Sequence, residues 1–248
     1  MEDKSMNLVD HLDELRKRVI ISLVAFITFF IVSFIYVQDI YNWLVRDLEF
    51  NLTVLGPSDI LWVYFMLSGV AAIIASIPVI AFQVWLFVKP ALHPHERRLA
   101  LGYIPALFLL FILGLCFGYF VILPVIMDFL VGLGSDMFET MFTTEKYFRF
   151  VLHMTIPFAV LFELPIVVMF LTSLGIINPY VMTRIRKYAY FVLIVISVSI
   201  SPPDFISDFL VTIPLLVLYE LSIGLSKIVY KRRQKRLAKE EKEFAVSE

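Results

Sequence analysis

Residues 13–37 read DELRKRVIISLVAFITFFIVSFIYV. From Val19 to Val37 no side chain is charged. A helix needs about 20 apolar residues to cross roughly 30 Å of hydrocarbon, so this run is the first membrane span. Arg16, Lys17 and Arg18 mark where it leaves water. The segment before it is polar, mixed in charge and not followed by a small-residue cleavage site, so it does not read as a cleaved secretory signal.

Working outward, the same pattern recurs at Ile60–Val88, Leu99–Leu133 and within Tyr147–Leu174. A last apolar stretch, Tyr188–Ser226, is interrupted by Ser201-Pro202-Pro203-Asp204, which reads as a tight turn between two short helices. Tyr188–Ile200 makes a helix of roughly 20 Å, short for a full crossing. The expected fold is therefore an all-α membrane protein with six transmembrane helices, several of them proline-kinked and the last two short. Lysines and arginines orient it. Of 21, the N-terminal segment, Lys89–Arg98, Gly175–Lys187 and the tail from Lys227 hold 18, and the alternate loops hold 3 (Arg46, Lys146, Arg149). By the positive-inside rule both termini lie in the cytoplasm. The chain divides into an amphipathic N-terminal segment (1–18), a membrane domain (19–226) and a charged tail (227–248).

Composition agrees and excludes several classes. Of 248 residues 60% are hydrophobic and 17% charged, too apolar a load for a soluble domain to hide. The net charge of −1 gives no basic field for nucleic acid. Cys116 is the single cysteine, so neither an intrachain disulfide nor a thiolate metal cluster can form. Hydrolase and phosphate-binding motifs are absent, and His11, His93, His95 and His153 are not spaced as metal ligands. No cofactor is expected. No internal repeat is visible, which weighs against an inverted-repeat transporter.

Several residues stand out against this apolar background. Asn7 can cap a helix on which Leu8, Leu12, Leu15 and Val19 recur at helical spacing. Its polar side carries Asp13, Glu14, Lys17 and Arg18, with Asp13–Lys17 and Glu14–Arg18 at i,i+4. Glu96 follows Pro94 at the start of another helix, where the dipole favours a carboxylate. Glu163 sits mid-span before Pro165, where an ionised carboxylate costs at least about 2.5 kcal/mol. Such a group faces a bundle interior or a wet cavity, or is neutralised. Gln83 and Glu220 are weaker versions near the basic span ends. Pro78, Pro105, Pro124, Pro157, Pro165 and Pro214 each free a backbone carbonyl. Gly114 and Gly118 suit close helix packing within the chain.

Four segments together resemble one family. His11-Leu12-Asp13-Glu14-Leu15-Arg16-Lys17-Arg18 is similar to the N-terminal signature of the TatC family, the polytopic component of twin-arginine translocation. Gln83–Leu92 running into His95-Glu96-Arg97-Arg98, then Phe162-Glu163-Leu164-Pro165, then Ser201-Pro202-Pro203-Asp204 resemble it in order and spacing. Lys89 stands where many members have a small residue, and Ser201 where threonine is usual. The resemblance implies a receptor in the bacterial cytoplasmic membrane for signal peptides bearing two arginines, on precursors that are already folded. It implies a peptide site at the cytoplasmic face around Glu14, Glu96, Leu12, Arg16 and Phe87. Arginine–carboxylate pairs are bidentate and charge-assisted, which suits Glu14 and Glu96 to that task. It also implies contacts at Glu163 and Gln83 with single-span TatA- and TatB-type partners or inserted peptide, assembly with further copies of the chain, and a periplasmic turn at Pro202, Pro203 and Asp204. A proton-coupled transporter using Glu163 is the competing class. An intramembrane hydrolase is a third, but Ser68, Ser76 and Ser197 have no evident base.

Overall fold

A computed structural model describes residues 8–46, 48, 50–91, 94–134, 141–202 and 204–247. Among them the chain is all-helical, apart from one isolated bridge between Thr53 and Thr143. The helices are α1 (Leu8–Ile35), α2 (Val37–Val45), α3 (Pro57–Val88), α4 (Pro94–Phe117), α5 (Leu123–Gly134), α6 (Thr144–Leu161), α7 (Leu164–Ser173), α8 (Pro179–Arg184), α9 (Arg186–Ile200) and α10 (Phe205–Ser247).

The N-terminal amphipathic segment and the first span form one uninterrupted helix, α1. The proposed cap, Asn7, lies outside the described residues. Prolines act unequally. Pro78, Pro105, Pro157 and Pro214 lie inside continuous helices, as a membrane helix tolerates when freed carbonyls find other partners. Pro124 follows a π-helical turn, Gly118–Ile122, which widens the ladder ahead of a residue without an N–H. Pro165 coincides with a full break: α6 ends at Leu161 and α7 begins at Leu164. What reads as a single span in the sequence is thus two helices hinged at Phe162 and Glu163.

Among the described residues, five helical segments are long and apolar enough to cross a membrane, one of them Phe205–Arg236. α9 has 15 residues, or about 22 Å, and is short as expected. The last helix corrects the reading. α10 has 43 residues and runs without a break from the turn at Asp204 past the last apolar residues into the charged tail. Hydropathy ends where the lipid ends, but the ladder does not, because Lys231–Glu243 consists mainly of good helix formers.

Contacts group the chain into two compact units, residues 1–108 with 137–150, and 109–136 with 151–248. In the first, Phe26, Phe30 and Phe34 form a ladder on α1. Phe30 and Phe34 pack on Phe65 at centroid distances of 6.0 and 5.5 Å, and Phe34 also meets Tyr64 edge-on. In the second, Gly114 and Gly118 lie against the backbone of Ala159 and Thr155, the close approach expected of that pair. Phe117 packs on Phe158 and Phe162 beside them. The hydroxyls of Thr172 on α7 and Ser226 on α10 share a buried 2.7 Å hydrogen bond.

Candidate functional site

The aromatic ladder sets α1 and α3 antiparallel. Phe34 meets Tyr64 and Phe65 at one end, and further along Arg18 meets Gln83 and His11 meets Phe87. This register brings two sequence-distant candidate segments to one end of the pair. There the Arg18 Nη2 donates to the Glu14 Oε1 at 3.1 Å, and its Nη1 donates to the Gln83 Oε1 at 3.4 Å. Only 18% of the Glu14 side chain and 22% of that of Arg18 are exposed, and Gln83 is buried. What the sequence reads as a solvated i,i+4 pair is a partly desolvated ion pair tied across two helices. Charges in such a setting are screened less than surface ones. The Arg18 Nε is buried without a hydrogen-bond partner.

Beside this pair the surface is apolar and aromatic. His11 stacks on Phe87 with centroids 4.3 Å apart and planes at 22°. Leu12 is 63% exposed and, two residues before Glu14 on the same helix, lies on a different face from the carboxylate. Two residues after Phe87, Lys89 lies over the ring of Trp85, one turn before it. Arg16 is not drawn in. It pairs at 3.4 Å with Asp13, with both side chains largely exposed, so the partner found for Asp13 is Arg16 rather than Lys17. Glu96 belongs to α4, and its side chain lies outside the described residues. The arrangement offers an acceptor, Glu14, whose second oxygen can take a further donor, one helical turn from the His11–Phe87 stack. The Glu14–Arg18 pair is the one the sequence spacing gives; the ties of Arg18 to Gln83 and of His11 to Phe87 escape the sequence reading, since only the α1–α3 register reveals them.

Glu163 occupies the hinge between α6 and α7. Its N–H donates to the Val160 carbonyl at 3.1 Å, and its carbonyl accepts from Val167 at 3.0 Å. Both carboxylate oxygens are buried and neither has a hydrogen-bond partner. Natural proteins seldom leave such a group unpaired, and where they do it calls for an explanation beyond packing. The turn before α10 is a cap. Asp204 accepts from the Ser207 N–H at 2.7 Å, and the Ser201 hydroxyl bonds both the Ser197 carbonyl and Asp208. Pro202 accepts from the Asp204 N–H, while Pro203 lies outside the described residues.

With this geometry in view, comparison with known proteins is decisive. A family model described as Sec-independent protein translocase protein (TatC) matches residues 10–214. The chain belongs to the TatC family. It is similar to TatCd of Bacillus subtilis, 59% identical over 235 residues that cover 95% of this chain and 97% of that one. It is also similar to TatCy of the same organism, at 41% identity over 95% of this chain and 94% of that one. A solved structure titled as the twin arginine translocase receptor TatC superimposes with a TM-score of 0.77 at 35% identity, covering 88% of this chain and 99% of the other. The chain is therefore a multi-pass membrane component of the Sec-independent protein translocase, a complex that implies partner Tat proteins. A proton-coupled transporter is not favoured by any of these matches.

Proposed function

We propose that this chain is the signal-peptide receptor of its translocase. It takes twin-arginine signals of folded precursors at the end of α1 and α3 that holds Glu14, with Glu96 as a second carboxylate, and scaffolds single-span TatA- and TatB-type partners. The observation that carries the reading is the partly buried Glu14 carboxylate, already bonded to a guanidinium in its own chain and one helical turn from the His11–Phe87 stack. A signal peptide has the complementary order, arginines followed by an apolar stretch. One incoming guanidinium either joins Arg18 at the free oxygen of Glu14 or replaces it, and the apolar stretch follows the Phe87 edge.

In this reading Glu163 acts later. A buried carboxylate without a partner is a standing cost of about 1–3 kcal/mol, relieved when a polar group of a partner helix or an inserted peptide reaches it. The basic ends of the helices face the cytoplasm and the turn at Asp204 the opposite side, in the bacterial cytoplasmic membrane.

Photocrosslinkers at positions 14, 87 and 96 test the site. They should capture a precursor carrying Arg-Arg and lose most of that capture when the pair is Lys-Lys, because an ammonium cannot make the bidentate contact. Equal capture of both precursors would remove the carboxylate–guanidinium basis of the reading.

A further inference from the structure

Outside the α1–α3 site, the second unit carries an open groove of about 550 Å³ between α9 and α10. Its walls include Tyr190 of α9 and Val217, Leu221, Gly224, Leu225 and Ile228 of α10. The α10 wall is a helical stripe of exposed residues, since 217, 221, 224 and 228 recur every three or four positions. Continued at the same period past Ile228, the stripe reaches Lys231, Arg232 and Lys235, all exposed. One continuous face thus passes from apolar to cationic within two helical turns.

The single acid on the groove wall does not cancel this charge. Glu220 is bonded by the Arg186 Nη2 at 2.7 Å and by the Tyr190 hydroxyl at 2.6 Å, so it is matched within the protein. Lys231, Arg232 and Lys235 have no described carboxylate at salt-bridge distance. The apolar part lies within a segment fit to cross a membrane, Phe205–Arg236, so its occupant is a molecule of the bilayer. The cationic rim at the depth of the headgroups selects a negative one. Gly224 keeps the floor open, with nothing within 4 Å of where its Cβ would be.

We propose that the groove between α9 and α10 is a binding site for an anionic phospholipid, with an acyl chain against Val217, Leu221, Gly224 and Ile228 and the phosphate at Lys231, Arg232 and Lys235. The site is independent of the signal-peptide reading, and none of its residues belongs to the α1–α3 cluster.

The full-length chain, exchanged into mixed micelles containing equal phosphatidylglycerol and phosphatidylcholine and then stripped, should retain phosphatidylglycerol preferentially, as counted by native mass spectrometry. Each neutralisation among K231Q, R232Q and K235Q should lower that preference by up to about fivefold, without reducing total lipid retained. G224F, whose Cβ meets nothing within 4 Å, should lose the retained lipid while keeping the fold by circular dichroism. Added inorganic phosphate should not displace the lipid. Equal retention of both lipids by the unmodified chain, an unchanged preference in the triple variant, or full retention by G224F would each overturn the assignment. Displacement by phosphate alone would reduce the site to an anion site and overturn it as well.

Discussion

Replacing Gly114 with alanine adds a single methyl group at the tightest helix contact in the second unit. That Cβ would stand 2.8 Å from the Ala159 Cα, the Phe158 carbonyl oxygen and the Phe162 Cβ. Carbon atoms reach their optimal separation near 3.5 Å or beyond, so the helices must part by about 0.7 Å. Two of the three obstructing atoms are backbone and cannot rotate away, which places the cost toward the top of the roughly 1–3 kcal/mol range for overpacking. Alanine returns up to about 1 kcal/mol through its better helix propensity. The net loss is about 1–2 kcal/mol. Gly224→Ala is the internal control, because its Cβ meets nothing within 4 Å; it should be neutral or gain up to about 1 kcal/mol. Equilibrium unfolding of both variants in the same mixed micelles gives the comparison. Gly114→Ala as stable as Gly224→Ala would refute the claim that Gly114 holds α4 against α6 by contact.

Glu163→Leu should raise stability by about 1–3 kcal/mol, because it removes an unpaired buried carboxylate, and should leave signal binding intact while lowering export; a less stable protein would show that Glu163 is satisfied by a partner within the fold. Asp204→Ala should lower stability by about 0.5–2 kcal/mol, the range for losing a helix N-cap, measured by the same unfolding assay, with Asp204→Asn recovering most of it. Cysteines at Asn51 and Asp204 should label from the outer side of the membrane and at Arg184 and Lys187 from the cytoplasm; labelling of Asp204 from the cytoplasm would remove the six-span topology.

The spans were legible because lipid imposes one demand, apolar side chains over a fixed length, and Val19–Val37 or Leu99–Leu133 meet it without help from the rest of the chain. The close packing at Gly114 was legible for a related reason, since small residues at i,i+4 are what near helix backbones require. What hydropathy does not mark is helix in water. The sequence reading therefore ended the last span near Ser226 and left the charged tail as either a solvated helix or disorder, whereas α10 continues as one helix to Ser247. Proline carried similar ambiguity. Pro157 and Pro165 look alike in the sequence, yet one lies within α6 and the other follows a break; the difference is made by tertiary packing. At the candidate site, Glu14, Leu12 and Phe87 were visible as residue types. The Glu14–Arg18 pair was legible from its i,i+4 spacing, whereas the burial of Glu14 and the tie of Arg18 to Gln83, 65 positions away in sequence, follow only from the α1–α3 register.

The most direct measurement is the affinity of the purified chain, in native-like membranes, for a folded precursor with an Arg-Arg signal, compared among the parent, Glu14→Ala, Glu96→Ala and the double variant. Each single substitution should weaken binding by about 1.5–3 kcal/mol, the range for a hydrogen bond to a charged group, or about 10- to 100-fold in Kd. The double variant should bind Arg-Arg and Lys-Lys signals alike. A correctly inserted double variant with the affinity of the parent would contradict the receptor site placed at Glu14 and Glu96.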